Sequence, residues 1–234
     1  MTTVLLHGFW GQPSDWNPVL HGLPLGMSVL TPDLYAPGPM APTTKLGEWP
    51  DKFWHWLEHE VGEAQVTLVG YSMGARLAMC AARAKPERVA RALFLSGRPL
   101  LPPGDAEERA KWEKQFVNDF LQLAWAELEE KWQDQTVFKG SQPVPRRRSD
   151  GLREVLGLSL TSWSPRLHPF TAEELKAFPA TMDWAFGAGD QKYLAVAKDL
   201  RELPVKGQIT IVPAAGHRII TEAAEFVSRW ISRE

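Results

Sequence analysis

The amino-acid sequence predicts an α/β fold: a mostly parallel sheet of about six strands with helices on both faces and a helical insertion. Three observations support this class. Short runs of β-branched, leucine and aromatic residues alternate with longer segments of helical periodicity. The short runs are continuously apolar, as in strands that are buried on both faces. Of the 234 residues, 44% are hydrophobic and 23% are charged, so an ordinary globular core is expected.

The predicted strands are short β-rich runs, several of which end at Gly or Pro: 3–6, 28–31, 66–70, 92–95, 182–186 and 208–212. The predicted core helices lie between or after them: 43–61, 74–84, 191–202 and 220–232. Because strands and helices alternate along the chain, the strands are expected to pair in parallel.

The region between residues 95 and 182 lacks a convincing strand. Residues 105–133 carry aromatic and leucine side chains at helical spacing, and 150–160 and 171–178 are two shorter helical segments. We therefore predict a helical cap formed by residues 98–179. The α/β core is then formed by residues 1–97 and 180–234.

Composition limits the classes of partner. The net charge of −2 gives no sign of a nucleic-acid-binding or membrane-binding surface, and no apolar run reaches the roughly 20 residues of a membrane span. The first residues do not resemble a signal peptide. We expect a cytoplasmic monomer or weak homo-oligomer that acts on a small molecule. With neither a GxGxxG motif nor a P-loop, no nucleotide is implied, and we expect no cofactor and no metal.

The strongest motif is the segment Gly70–Gly74, which reads Gly-Tyr-Ser-Met-Gly between a predicted strand and an Ala-rich helix. This is the nucleophile elbow in its strand–turn–helix context. The serine of such a turn has a strained backbone, and glycine two residues away on each side avoids a steric clash. We predict that Ser72 is the catalytic nucleophile or base. The backbone N–H of Met73 is then one oxyanion donor, at a helix N-terminus.

The second oxyanion donor is expected in the loop after the first strand, which contains His7, Gly8 and Phe9. We assign it to the backbone N–H of Phe9. For His7 we favour a structural role, in which its side chain holds this loop by a hydrogen bond.

The acid and the base of a Ser–acid–His triad should follow late strands in that chain order. Strand 182–186 leads to Asp190, and strand 208–212 leads to His217. His217 would take the serine proton, and Asp190 would orient the imidazole. Asp183, inside its strand, is the weaker alternative acid.

Other candidate residues are given structural interpretations. His55 and His59 lie four apart on a helix without an evident third ligand, so a solvated helix face is favoured over a metal site. The run 146–148 is three arginines, interpreted as a solvated loop, and Cys80 as a packed core thiol. For Trp132 and Trp163, core packing and a place in the substrate pocket are weighed equally.

At this point the sequence resembles the α/β-hydrolase superfamily over its whole length. More narrowly, it is similar to the SHCHC synthases, 2-succinyl-6-hydroxy-2,4-cyclohexadiene-1-carboxylate synthases of menaquinone biosynthesis. The elbow is shared by many hydrolases, whereas the arginine four residues after the serine and the Trp…Val-Phe stretch are more selective. The matching stretches are 6–9 (LHGF), 70–76 (GYSMGAR), 115–121 (QFVNDFL), 131–138 (KWQDQTVF), 158–160 with 165–167, and 187–192 (GAGDQK).

The resemblance implies removal of pyruvate from a cyclohexene polycarboxylate by 2,5-elimination, without added water. Ser72 would abstract a ring proton, and the amides of Phe9 and Met73 would hold the dianionic intermediate. Arg76 would pair with a substrate carboxylate, which suits its bidentate guanidinium. Trp132 matches the family's cap tryptophan.

The chain departs from this family in three places. Ala75 stands where glycine is usual, and 33–38 (DLYAPG) replaces the usual Gly-His-Gly segment. The second carboxylate-binding arginine has no clear match, and either Arg109 or Lys111 would serve only after a register shift. Arg98 and Arg218 are further cations expected near the pocket mouth.

Three functions are therefore compared. A pyruvate-eliminating lyase predicts a basic pocket, and Arg76 favours it. A carboxylic-ester hydrolase acting through an acyl-Ser72 intermediate predicts an apolar slot, which the eleven tryptophans favour. A small-molecule receptor of the same fold is the third; the intact triad argues against lost catalysis but does not exclude a receptor.

Overall fold

The computed structural model describes residues 1–38, 40–42, 45–102, 104–167, 170–178, 180–203 and 205–233. Within them lies one six-stranded sheet with the order β2-β1-β3-β4-β5-β6, and all five neighbouring pairs are parallel. The predicted sheet is confirmed. Its strands are β1 (Thr2–Leu6), β2 (Val29–Leu30), β3 (Val66–Tyr71), β4 (Val89–Leu95), β5 (Thr181–Gly187) and β6 (Ile209–Val212).

Each strand differs from its predicted bounds by one to three residues, and the causes are clear for the second and the fourth. The second is only two residues long, since Pro32 follows closely and lacks an N–H for the ladder. The fourth begins three residues earlier than predicted, at Val89. Polar Arg91 obscured this start, although its guanidinium reaches out of the sheet to the carbonyl of Trp230.

The helices outside the β4–β5 connection cover both faces of the sheet. Residues alternate along β1, where Val4 and Leu6 join one buried cluster and Leu5 joins the other. The first cluster contains the buried faces of α2, α3 and α8, and the second contains those of α1, α9 and α10. These helices are α1 (Asn17–Leu20), α2 (Trp49–Val61), α3 (Met73–Ala84), α8 (Gln191–Arg201), α9 (Ile219–Glu222) and α10 (Ala224–Ile231).

Two predicted helices need correction at their starts or interiors. The helix expected over 43–61 begins at Trp49, with Pro50 in its first turn, where a missing N–H costs nothing. Residues 43 and 44 of that prediction lie outside the described residues. The helix expected over 220–232 is divided in two at Ala223, whose φ of −138° is not helical.

The connection between β4 and β5 is helical, as predicted. Its elements are α4 (Asp105–Gln122), α5 (Trp125–Gln133), α6 (Asp150–Ser162) and α7 (Ala172–Ala177), and α4 packs against α6. We call residues 98–179 the insertion, although residue 179 itself lies outside the described residues. Among the helices of the described ranges, none is both long and apolar enough to span a membrane.

Candidate active site

The elbow forms a sharp turn between β3 and α3. Ser72 has φ 53° and ψ −108°, a strained conformation for a residue with a side chain, and its N–H donates to the carbonyl of Leu95. A Cβ on Gly70 would lie 2.4 Å from the carbonyl oxygen of Gly74, and one on Gly74 would lie 2.1 Å from that of Leu6. Both glycines are therefore needed for the close approach of turn, helix and β1.

Ser72, His217 and Asp190 form a continuous hydrogen-bonded chain. The Ser72 Oγ lies 3.1 Å from His217 Nε2, and His217 Nδ1 lies 2.6 Å from Asp190 Oδ2. The carboxylate accepts the Nδ1–H, which leaves Nε2 as the acceptor for the serine hydroxyl. Both His217 (3% exposed) and Asp190 (2% exposed) are shielded from water. The sequence-predicted residues are thus brought together in the geometry that nucleophilic or basic serine chemistry requires.

Local structure fixes both partners of Ser72. Asp190 caps α8, because its Oδ1 accepts the N–H of Tyr193. The Tyr193 ring also packs against the imidazole, with centroids 4.8 Å apart. On the other loop, the hydroxyl of Ser96 donates to the His217 carbonyl. The acid and base are therefore held by a helix cap, an aromatic contact and a buried hydrogen bond.

The two assigned oxyanion donors face the same cavity. Phe9 and Met73 both line it beside Ser72, and Met73 is the first residue of α3. Within the described residues, neither backbone N–H donates to another protein group. Both amides are consequently available to an oxyanion, and their catalytic role stays a prediction.

The histidine of the first loop has the expected structural role. His7 is fully buried, its Nδ1–H donates to the Gly8 carbonyl and its Nε2 accepts the N–H of Leu34. Both ring nitrogens are thereby used, and His7 fastens the β1 loop to the segment after β2.

A cavity of about 500 Å³ opens above Ser72 and His217. Its wall carries four cations against three carboxylates, namely Arg76, Arg98, Arg109 and Lys192 against Asp105, Glu108 and Asp134. Aromatic side chains form another part of the wall: Phe9, Trp112, Trp132, Phe138 and Tyr193. The cavity combines a net positive charge with apolar surface, which suits an anionic organic molecule.

Arg76 is a partly buried cation on this wall. One nitrogen, Nη2, donates to the carbonyl of Trp163 at 2.9 Å. Its Nε is buried without a partner in the described residues, and burial lowers the pKa of Arg76 to about 10. The guanidinium remains charged near neutral pH and has no carboxylate partner in the part of the chain that the structure describes, so a substrate carboxylate would satisfy it.

Between the two candidates for a second clamp, the structure favours Arg109. It lines the cavity and stacks on Trp112 at 4.2 Å, and its Nε donates to Glu113 Oε1 at 2.7 Å. Glu113 is almost fully buried and also accepts hydrogen bonds from Ser164 and Arg166. Lys111 is instead exposed and pairs with Glu107.

Of the four tryptophans of the insertion, the two with open interpretations, Trp132 and Trp163, differ in position. Trp132 lines the cavity and packs against Phe9 with centroids 4.6 Å apart. Its Nε1–H is buried without a partner in the described residues. Trp163 is in the core against Trp49 and contributes its carbonyl to Arg76.

The structure also shows where three further residues discussed in the sequence analysis lie. Arg98 lines the cavity as expected, whereas Arg218 does not and instead donates to Gln133 and Gln142. The alternative acid Asp183 accepts hydrogen bonds from Trp230 and the N–H of Gln208, far along β5 from His217.

Of the remaining three predictions, two agree with the structure. His55 and His59 lie on an exposed face of α2, and no group of three or more metal-ligating side chains occurs in the described residues. Cys80 is buried in the core, which raises its pKa to about 12. The solvated loop predicted for 146–148 is wrong, because all three arginines bind protein groups, namely Asp33, Glu129 and the Trp10 and Gly11 carbonyls.

Sequence reasoning missed Lys192, Tyr193 and Phe138 as residues of the cavity wall. Lys192 and Tyr193 directly follow Asp190 at the start of α8, and this adjacency was the available signal. Burial, with the nearby charges of Arg98 and Arg109, lowers the pKa of Lys192. Phe138 could be placed on the cavity wall only once the fold of the insertion was known.

The sheet order, the elbow and the Ser–His–Asp geometry are those of an α/β-hydrolase. A model of the alpha/beta hydrolase family matches residues 3–230, and the chain belongs to this family.

One sequence relative and two solved structures match most of this chain. The chain is 28% identical to the 2-succinyl-6-hydroxy-2,4-cyclohexadiene-1-carboxylate synthase of Enterobacter sp. (strain 638), over 92% of this chain and 83% of that one. Among solved structures, MenH from S. aureus superposes with a TM-score of 0.85 at 17% identity, covering 99% and 91% of the two chains. The carboxylesterase CesB from Bacillus subtilis superposes with a TM-score of 0.66 at 18% identity, covering 98% and 81%. The two structural matches show a shared fold.

Proposed function

We propose that this enzyme is a lyase that eliminates pyruvate from a cyclohexene polycarboxylate in menaquinone biosynthesis, as the name of its synthase relatives suggests. The observation that carries the proposal is Arg76, a partly buried cation that has no carboxylate partner among the described residues and lies on the wall that also holds Ser72 and His217. Arg98, Arg109 and Lys192 add to the same positive wall. Several cations around one reactive serine fit a substrate with more than one carboxylate.

In this proposal Ser72 acts as a base. His217 Nε2 accepts the hydroxyl proton while Ser72 Oγ removes a proton from the substrate ring, and Asp190 stabilises the imidazolium. The electron pair of the broken C–H bond moves through the ring and expels the pyruvate group. The amides of Phe9 and Met73 hold the negative charge that develops. The proton on His217 passes to the departing pyruvate, so no water is consumed.

We further propose that the insertion acts as a cap over the serine. Arg109, Trp132 and Phe138 come from it and line the cavity above Ser72, while Arg76 and His217 come from the core. The cap supplies most of the aromatic wall and two of the cations, Arg98 and Arg109. A cytoplasmic location and a monomeric or weakly oligomeric state stay predictions.

Carboxylic-ester hydrolysis is the second candidate, favoured by the aromatic wall of Phe9, Trp132 and Phe138. Ser72, His217 and Asp190 would then act through an acyl-Ser72 intermediate, which water hydrolyses. A paired assay separates the candidates. One arm follows pyruvate release from the menaquinone intermediate made in situ, and the other follows cleavage of short p-nitrophenyl esters. Pyruvate release with feeble ester cleavage supports the lyase, whereas fast ester cleavage without pyruvate refutes it. Ligand binding with neither reaction would indicate a receptor.

Arg76→Gln tests the carboxylate clamp directly. A charged hydrogen bond contributes about 1.5–3 kcal/mol, so KM for the carboxylate substrate should rise about 10- to 150-fold. Arg83→Gln is the matched control, because Arg83 lies on the same helix, is exposed and pairs with Glu174. Unchanged KM in Arg76→Gln would exclude the clamp.

A further inference from the structure

The loop that carries the Phe9 N–H is held by contacts that the proposed chemistry does not use. Trp10, next to Phe9, has φ 55°, a left-handed conformation that is costly for a tryptophan. Its N–H donates to the hydroxyl of Tyr35 at 3.0 Å, and its indole Nε1–H donates to the carbonyl of Arg147 at 3.0 Å. Contacts with distant parts of the chain therefore maintain this conformation.

Arg147 lies at the centre of these contacts. Its guanidinium donates to both carboxylate oxygens of Asp33, at 2.6 and 2.9 Å, and to the carbonyl of Gly11 at 3.2 Å. Arg146 donates in addition to the carbonyl of Trp10. Two carbonyls of the loop are thus bound by neighbouring arginines of the insertion.

Asp33 connects the arginine to the other side of the loop. Its Oδ1 accepts the N–H of Tyr35 at 2.9 Å and lies 3.7 Å from His7 Nε2. Burial raises the pKa of Asp33, but the hydrogen bonds from Arg147 and from the N–H of Tyr35 outweigh burial and hold it well below its usual range. The Asp33 carboxylate is therefore charged at neutral pH and forms a bidentate salt bridge with Arg147.

We propose that Arg147 and Asp33 are positioning residues, which set the place of the Phe9 N–H by clamping residues 7–11. The inference rests on the proposed roles of Ser72 and Phe9, but not on the identity of the substrate. In the described residues, neither Arg147 nor Asp33 belongs to the cavity wall. Their effect on catalysis must therefore pass through the loop. Because Arg147 belongs to the insertion, the insertion also completes the oxyanion site of the core.

The expected effect is a loss of turnover with little change in binding. Removing one oxyanion donor costs about 100- to 1,000-fold in kcat, and a displaced donor should cost part of that. We expect Arg147→Gln and Asp33→Asn each to lower kcat about 10- to 100-fold. KM should stay within about threefold of the wild-type value, because neither side chain meets the substrate.

The test combines kinetics with phenylboronic acid, a probe that forms a tetrahedral adduct with an active serine. Boron-11 NMR reports the adduct, and a titration gives its dissociation constant. Wild type should bind the probe, Arg147→Gln and Asp33→Asn should bind it at least about tenfold more weakly, and Arg147→Lys should recover part of the loss. Arg148→Gln is the matched control, because the neighbouring Arg148 pairs with Glu129. The control should behave like wild type.

Two results would overturn the proposal. One is wild-type kcat and boronate affinity in Asp33→Asn or in a folded Arg147→Gln. The other is a loss that appears in KM alone, which would give Arg147 a direct contact with substrate. Ser72→Ala should abolish the adduct and so shows that the probe reports on Ser72. If the adduct forms in wild type and is unchanged in the Arg147 and Asp33 variants, the positioning role alone fails and the proposed role of Ser72 stands. If wild type itself forms no adduct, both proposals fall, because the loop then has no oxyanion to serve.

Discussion

Gly74→Ala tests whether the elbow has room for a side chain between α3 and β1. The added Cβ would lie 2.1 Å from the Leu6 carbonyl oxygen and 2.5 Å from that of His7. Carbon and oxygen atoms in contact need about 3.3 Å, so α3 must move by about 1 Å from β1. Both obstructing atoms belong to the backbone and cannot rotate away.

The free-energy change follows from two opposing effects. Overpacking against a fixed backbone costs about 3 kcal/mol, the upper end of the usual range. The higher helix propensity of alanine offsets about 1 kcal/mol. We therefore expect the free energy of unfolding to fall by about 2 kcal/mol. A 1 Å displacement of the elbow should also lower turnover about 100-fold.

Urea unfolding and turnover, measured on the same preparations, check both numbers. The control is Gly157→Ala in α6, where the new Cβ would meet Val117 methyl groups at 3.6 and 3.9 Å, an ordinary contact. That variant should gain about 1 kcal/mol of stability and keep its activity. Wild-type stability and turnover in Gly74→Ala would show that the elbow tolerates a Cβ, and the steric reasoning would be wrong.

Three other measurements test further parts of the structure. Ser72→Ala and His217→Ala should each lower turnover at least about 1,000-fold with unchanged unfolding midpoints, and near-normal rates would remove them from the mechanism. Asp33→Asn should be less stable than wild type at neutral pH. Because the folded pKa is depressed, that difference should shrink as pH falls below about 4, which pH-dependent urea unfolding measures. Cys80 should resist a thiol-disulfide reagent at pH 8 until the chain unfolds, since burial raises its pKa to about 12; rapid labelling of the native protein would contradict its burial.

The elements and the elbow could be predicted because their signals are local. Strand runs, the Gly-x-Ser-x-Gly spacing and the loops after β5 and β6 are each contained in a few residues. Parallel pairing then brings the carboxyl ends of β3, β5 and β6 to one edge of the sheet, which is where Ser72, Asp190 and His217 meet.

The arginines could not be assigned in the same way. Arg147 binds Asp33, which is 114 residues away, and no local pattern connects the two. Arg109 and Lys111 differ by two positions on α4, and only the packing of that helix directs the first into the cavity and the second into solvent. Arg218 follows His217 directly, yet its side chain turns to Gln133 of α5 instead of to the cavity mouth. For a long charged side chain, the sequence position limits how far the charge can lie from its own backbone. Only the tertiary structure determines which neighbouring groups the charge reaches.

The direct pairing of β4 with β5 has a consequence for the evolution of this protein. Leu95 pairs with Ala185 across the point where the chain leaves for the insertion and returns, so the sheet is continuous without it. Lineages can therefore exchange this segment as a cassette and acquire new substrates while the inherited sheet persists. The proposed clamp on residues 7–11 would limit that freedom. A replacement cassette would have to bring its own counterpart of Arg147, so innovation in the cassette and upkeep of the loop must co-evolve.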